Sequence, residues 1–367
     1  MIIKTDYNSK TWVETAVQVL SRGGVVAFPT ETVYGLAASP AMSGAIDKLN
    51  ALKLRPANKP YTLHVGSADK LYEYVPHPAW LARVLTRRAW PGPLTLVVEL
   101  SEQDLAECRK KFGPIFDQLY HENTLGLRCP DHPASVAMLS AFDKPVVAPS
   151  ANPADMPPAI DASQVEHYFG DRVDLILDGG PARYRRASTV IKIAGNDFQI
   201  LREGIIDRRT LEKQATFTIL FACSGNTCRS PMALALAKKI LAEKFNCGIE
   251  DLAKYRINVL SAGTFASRGM KASFSAEYAM RRMGLDISEH ASEPVTAAMV
   301  EQADLVLVMS QSHKDFICSL VPAACHRIKL LAETGVADPI GGSDQDYVRC
   351  AEFMEKHIEA RLKEVFE

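Results

Sequence analysis

The chain has 367 residues, too many for one ordinary core and enough for two domains of typical size. Hydrophobic residues make up 47% and charged residues 23%, a globular composition that excludes a disordered chain. A net charge of -1 supplies no global field for non-specific nucleic-acid binding, so any RNA contact would need a local basic patch.

The opening MIIKTDYNSKTW has no apolar run behind a basic start, so no signal peptide is expected. No stretch approaches about 18 apolar residues, so no membrane span is expected, and a cytoplasmic location follows. Residues 11–21 carry apolar positions at helical spacing, as do residues 41–53. Residues 25–28 (VVAF), after Gly23-Gly24, read as a buried strand leaving a turn. Further strands are expected at Leu94–Val98 and Val146–Ala148, each beside proline, and at 174–177 before the turn Asp178-Gly179-Gly180. Strands and helices mix in no simple alternation. Residues 208–216 are polar and charged and read as a linker between domains 1–207 and 217–367. Beyond it, FTILFAC (217–223) is a buried-strand pattern, followed by a glycine-containing turn and a long amphipathic helix. Strand, phosphate-sized loop and helix open an α/β domain. Later strands are expected at Ile257–Ser261 and Asp304–Met309, and a last helix from about Gln345 to Val365. The eight cysteines (Cys108, Cys129, Cys223, Cys228, Cys247, Cys318, Cys325, Cys350) make no CxxC pair. They read as reduced cytosolic thiols, and no metal site is expected.

The turn after residue 223 carries Cys223-Ser224-Gly225-Asn226-Thr227-Cys228-Arg229-Ser230-Pro231. A thiolate attacks phosphorus, and a helix N-terminus favours that ionised form. The loop from Cys223 to Arg229 can wrap backbone N–H groups around three phosphoryl oxygens. Arg229 supplies a planar fork for two of them. Gly225 and Asn226 tolerate the positive φ that so tight a loop needs. Ser230 can hydrogen-bond the departing thiolate. A chance C-x5-R on an ordinary turn is the competing reading.

With SAGTFAS (261–267), GLDISEHAS (284–292), ADLVLVMSQSH (303–313) and DPIGGS (338–343), this string resembles the low-molecular-weight protein tyrosine phosphatase family across the C-terminal half. The resemblance implies a parallel-sheet α/β fold, phosphorylated protein substrates and a phosphocysteine intermediate. It makes Asp338, the Asp of the family's DP motif, general acid for the leaving atom and then base for water. Thr227 stands where tyrosine-directed members carry a bulky apolar residue. The resemblance therefore leans to the protein-arginine phosphatase branch, with tyrosine specificity as the alternative. Cys228 would either form a reversible disulfide with Cys223 or fill space beneath the loop. Cys318 and Cys325 are spaced as in thiol-relay arsenate reductases. Met309-Ser310 occupy the place of the first relay cysteine, so no relay is expected.

In the N-terminal half, Lys53, Arg55 and Lys59 set three cations among prolines, which suits a polyphosphate. Ser150 and Asn152 share one side of an extended segment. A loop of surface basics with a Ser/Asn turn is the competing reading. PTETVYGL (29–36), KLRPANKP (53–60), HV (64–65), WPGPLTLV (90–97), TLGLRCPDHP (124–133), APSAN (148–152) and STV (188–190) together resemble the YrdC-type threonylcarbamoyl-AMP synthase family over nearly all of residues 5–207. The resemblance implies a twisted open α/β sheet with a basic concave site. It implies condensation of threonine, bicarbonate and ATP with loss of pyrophosphate, ATP acting as a substrate with Mg and no cofactor being tightly bound. The product would pass to a downstream tRNA-modifying threonylcarbamoyl transferase. By motif, Lys53, Arg55, Lys59, Thr124, Ser150, Asn152 and Arg202 would face ATP. Thr32, His64, Arg128 and Ser188 would face threonine and its carbamate. Two departures stand out: the segment PARYRRA adds Arg183, Arg185 and Arg186 where the family carries a glycine, and Glu203-Gly204 replaces Pro-Gly. A phosphatase joined to a catalytically silent, RNA-binding YrdC-like module is the rival to two active enzymes. The intact Lys53, Arg55, His64, Ser150 and Asn152 positions favour the latter.

Overall fold

The computed structural model describes residues 1–54 and 61–366, which form two compact units, Met1–Ala215 and Thr216–Glu367. The strands of the first unit are β1 (Ile2–Lys4), β2 (Val26–Phe28), β3 (Gly35–Ala37), β4 (Leu63–His64), β5 (Leu94–Glu99), β6 (Thr124–Arg128), β7 (Val146–Val147), β8 (Leu175–Asp178), β9 (Thr189–Ala194) and β10 (Asp197–Arg202). They pair in the orders β1-β8-β2-β3 and β10-β9-β5-β6-β4-β7, mixing parallel and antiparallel neighbours. Bridges Gly35–Ser150 and Ala38–Val147 join the two ladders into one open α/β sheet.

β2 lies between β8 and β3, and every one of its residues is fully buried. A strand covered on both faces reads as a continuous apolar run, which is why residues 25–28 were recognisable. The helix Thr11–Ser21 buries Trp12, Ala16 and Leu20, one face at four-residue spacing, against Phe28, Leu175 and Leu177. The helix expected over 41–53 begins only at Ala45, because Gly44 at φ +74° interrupts the helical run. Residues 208–215, whose polarity suggested a linker, form the helix Arg208–Ala215. Its Leu211 and Ala215 join the core that contains Leu85 and Ala89. Two apolar positions four apart are enough for one-sided burial but are inconspicuous among charges.

The second unit holds β11 (Phe217–Cys223), β12 (Ile257–Gly263), β13 (Leu305–Val308) and β14 (Ile328–Leu330), in the order β12-β11-β13-β14. All neighbours are parallel, as expected. The chain leaves β11 first to one side of the sheet and later to the other. Ligands of such sheets bind at that switch point, beyond the strand carboxyl ends. There the helix Arg229–Lys244 begins, and the closing helix Asp344–Phe366 packs along it.

The cysteines differ from expectation. Cys318 and Cys325 form a disulfide, with Cα atoms 5.0 Å apart, while the other six thiols are free. Chain reversal after the helix Gln311–Leu320 brings the pair together. No helix among the described residues is long and apolar enough to cross a membrane.

Candidate active sites

In the second unit, Cys223 ends β11 and is 2% exposed. Its Sγ lies 3.0 Å from Ser230 Oγ. Asn226 adopts φ +53° and is fully buried. Its Nδ2 donates to Ser230 Oγ (2.8 Å) and Ser261 Oγ (3.0 Å), and its Oδ1 accepts from the Glu293 N–H (2.8 Å). His290 Nε2 donates to its carbonyl (2.7 Å). Asparagine combines tolerance of left-handed backbone with a side chain that both donates and accepts, which is what this position uses. Gly225, expected to share that conformation, is not in the left-handed region. Glycine is needed instead at Gly263 on β12. A Cβ there would lie 2.5 Å from the Ser224 carbonyl and 2.9 Å from Asn226 N.

Arg229 is 5% exposed. One arm of its fork donates to the Val336 carbonyl (3.0 Å) and the other to Asp338 Oδ2 (2.5 Å). Asp338 Oδ1 accepts from the Ile340 N–H (3.2 Å). Nucleophile, cation and acid therefore meet at the carboxyl end of the sheet, and a phosphoryl oxygen would compete with Asp338 for the same arm of Arg229. Ser224 Oγ is bonded to His313 Nε2 (2.8 Å), and His313 Nδ1 to Ser310 Oγ (2.8 Å). Burial, and then the charge of Arg229, lower the His313 pKa and favour the neutral ring. Thr227 is half-buried and its Oγ1 lies 3.7 Å from Cys228 Sγ. The free Cys228 thiol donates to Ser273 Oγ (3.4 Å) and lies 3.5 Å from Tyr347 Oη, packed beneath the loop. A cavity of about 720 Å³ opens beside Asp338, with Ser310, Val336, Ile340, Arg349 and Phe353 in its wall. Gly263, His290, Ser310 and His313 had no chemistry of their own in the sequence. Their only signal was membership of the quoted strings.

In the first unit a cavity of about 230 Å³ gathers Lys53, His64, Arg128, Ser150, Ser188 and Arg202 from distant segments. Lys53 Nζ donates to the carbonyls of Ser150 (2.7 Å) and Asn152 (2.5 Å) and to Asn152 Oδ1 (3.2 Å), which also accepts from Ser150 Oγ (2.6 Å). Arg128 donates to Glu31 Oε1 (2.8 Å) and Thr32 Oγ1 (2.6 Å), all three residues being buried. Thr32 thus stands behind Arg128 rather than in the cavity wall. Glu31 has no signal of its own in the sequence beyond the string PTETVYGL, yet it pairs with Arg128 and also accepts from the Asp131 N–H (2.9 Å). Arg202 donates to the Ser188 carbonyl (2.9 Å) and hydroxyl (3.2 Å). Burial, and then Arg128, lower its pKa. His64 Nδ1–H donates to the Thr62 carbonyl (3.2 Å), which leaves Nε2 as an acceptor. Burial, and then Arg128, depress the His64 pKa to about 3. Thr124 sits at the far end of β6 from Arg128, donates to the His121 carbonyl (2.7 Å) and does not line the cavity. Arg55 and Lys59 lie outside the described residues.

Comparison with known proteins follows the same division. Residues 18–204 match the Sua5, YciO and YrdC family model, described as Telomere recombination. Residues 218–367 match the model described as Low molecular weight phosphotyrosine protein phosphatase. The threonylcarbamoyl-AMP synthase of Bacillus subtilis (strain 168) is 34% identical over 197 residues, 54% of this chain and 54% of its own, so the chain spans about half that relative's length. A Sua5 variant from Pyrococcus abyssi, 24% identical, aligns over 72% of this chain and 91% of its own with a TM-score of 0.51, a likeness of fold. A mutant of YwlE from Bacillus subtilis is 34% identical over 41% of this chain and 100% of its own, with a TM-score of 0.37. The chain belongs to the Sua5, YciO and YrdC family through its first unit and carries a low molecular weight phosphotyrosine protein phosphatase domain as its second.

Proposed function

We propose that the chain is a cytoplasmic bifunctional enzyme. Its first unit would make threonylcarbamoyl-AMP from threonine, bicarbonate and ATP, with Mg accompanying the nucleotide, for transfer to tRNA by a downstream enzyme. Its second would dephosphorylate proteins through a phosphocysteine. The observation that carries the second reading is the convergence of Cys223, Ser230, Arg229 and Asp338. Cys223 Sγ attacks phosphorus while Arg229 and the loop N–H groups hold the equatorial oxygens. Asp338 protonates the leaving atom as its bond to phosphorus breaks. Water, deprotonated by Asp338, then displaces the sulfur and releases phosphate, with Ser230 Oγ placed to hydrogen-bond the returning thiolate. Cys223→Ser should abolish phosphate release from phosphoprotein, and retained turnover would refute this reading.

Phosphoarginine is the preferred substrate in this proposal, on the grounds of Thr227. The loop treats the phosphoryl group of either substrate alike, so selection falls to the wall beside the leaving group. A phenol gains from apolar contact, at roughly 25 cal/mol per Å² buried. A guanidinium loses against such a wall. Thr227→Ile should raise kcat/KM on phosphotyrosine and lower it on phosphoarginine. An unchanged ratio would return the tyrosine reading.

For the first unit the supporting observation is the cavity in which Lys53, His64, Arg128 and Arg202 come together from distant segments. Three cations around one cavity suit the phosphates and carboxylates of these substrates. Lys53→Ala should cost about 1.5–3 kcal/mol of ATP-dependent turnover. Threonylcarbamoyl-AMP sought by mass spectrometry with all three substrates decides it. Its absence from wild-type protein would favour the silent RNA-binding module.

A further inference from the structure

Among the described residues, each cation in the wall of the first unit's cavity is bonded to protein. Arg128 is held by Glu31 and Thr32, Lys53 by Ser150 and Asn152, and Arg202 by Ser188. The cavity, about 230 Å³, is also below the 300 Å³ or so at which pockets for drug-sized ligands begin. A nucleoside triphosphate bound there must extend beyond it, so cations outside the cavity wall can meet its outer phosphates.

The segment between β8 and β9 brings such donors next to the cavity. It is tied down along its length: Tyr34 Oη donates to the Gly180 carbonyl (2.8 Å), the Ala182 N–H to the Ile160 carbonyl (2.7 Å) and the Tyr184 N–H to the Glu31 carbonyl (2.8 Å). Tyr34, Ala187 and Ser188 line the cavity itself. Within the segment, Arg183 is paired with Asp131 (2.9 Å) and lies over the Tyr184 ring, 4.6 Å from its centroid. Arg185 and Arg186 are exposed and have no hydrogen bond or ion pair among the described residues. Arg185 holds φ +50°, a conformation that a residue other than Gly or Asn rarely adopts. Two unengaged forks thus directly precede a cavity-lining residue.

Resting on the synthase reading, we propose that Arg185 and Arg186 form an outer phosphate site that binds the β- and γ-phosphates of ATP and the pyrophosphate they become. The test is a double variant, Arg185→Asn with Arg186→Ala, since Asn tolerates the left-handed backbone. Inorganic pyrophosphate and ATP are titrated calorimetrically into wild type and variant, and KM is measured for ATP and for threonine. Two exposed charge contacts together correspond to about tenfold in affinity. The expected result is about tenfold weaker binding of both ATP and pyrophosphate with threonine KM unchanged. Arg185→Lys with Arg186→Lys should recover most of the loss. Unchanged pyrophosphate affinity would overturn the outer site whatever the turnover, as would an equal rise in both KM values. Absence of threonylcarbamoyl-AMP from wild type, with the pyrophosphate difference intact, would instead strike the synthase reading.

Discussion

His64 illustrates how a residue is altered by what surrounds it. In the unfolded chain it takes up a proton near pH 6.5, but in the folded protein only near pH 3. Between these values the unfolded state binds more protons, so stability falls as pH drops below 6.5 and this group contributes no further change above it. At pH 4.5 the loss is about 2–3 kcal/mol relative to pH 7. The three tryptophans, Trp12, Trp80 and Trp90, all lie in the first unit, so urea unfolding followed by their fluorescence reports on that unit, where burial lowers the His132 pKa as well. His64→Gln should flatten the pH dependence, and an equally steep variant would show that other groups cause it. Asn226 offers a second case. Asn226→Gly keeps the left-handed backbone but removes three side-chain bonds, and should cost about 2–4 kcal/mol in denaturant unfolding followed by circular dichroism. Cys223 and Arg229 were legible because their side chains and spacing have the required chemistry, whereas Asp338, by itself an Asp-Pro turn residue, was legible only through the family resemblance. Glu31, Gly263 and His313 were not, because a buried counter-ion, an absent Cβ and a bridging imidazole acquire meaning only from partners distant in sequence.

At the scale of elements, legibility followed burial. β11 and β2 are covered on both faces and read as unbroken apolar runs. β3 and β4 have three and two residues, too short for any period, and exist because neighbouring strands pair with them. In the β9–β10 hairpin Thr189–Ala194 alternates in burial and a turn with Gly195 at φ +58° follows, but apolar Val190 and Ala194 on the outward face hide that alternation in the sequence. The helix Gln311–Leu320 carries His313 in its first turn and Cys318 in its last. The disulfide to Cys325 closes a short loop, worth about 2 kcal/mol. Cys318→Ser should lower the thermal midpoint of the second unit, and reductant should do the same to wild type but not to the variant. A variant that still responds to reductant would place the sensitivity elsewhere.

Across the whole molecule, the apolar clusters of the first unit draw on residues up to Ala215, and a separate cluster around Leu220 and Val306 belongs to the second. Changes in distant, unshared cores add rather than couple. Cys223→Ser should therefore leave threonylcarbamoyl-AMP formation at its wild-type rate, and Lys53→Ala should leave phosphatase turnover unaltered. Loss of both activities in either variant would refute independence. The helix Arg208–Ala215 also decides where the chain can be divided. A fragment ending at residue 207, the boundary that composition suggests, would strip Leu211 and Ala215 from the apolar surface they cover and leave it facing water. One ending at residue 215 would keep that surface covered, with only Thr216 separating the helix from β11. The shorter fragment should self-associate on gel filtration while the longer elutes as a well-behaved species, so eight residues that resemble a tether would mark the difference between a usable excised enzyme and an insoluble one.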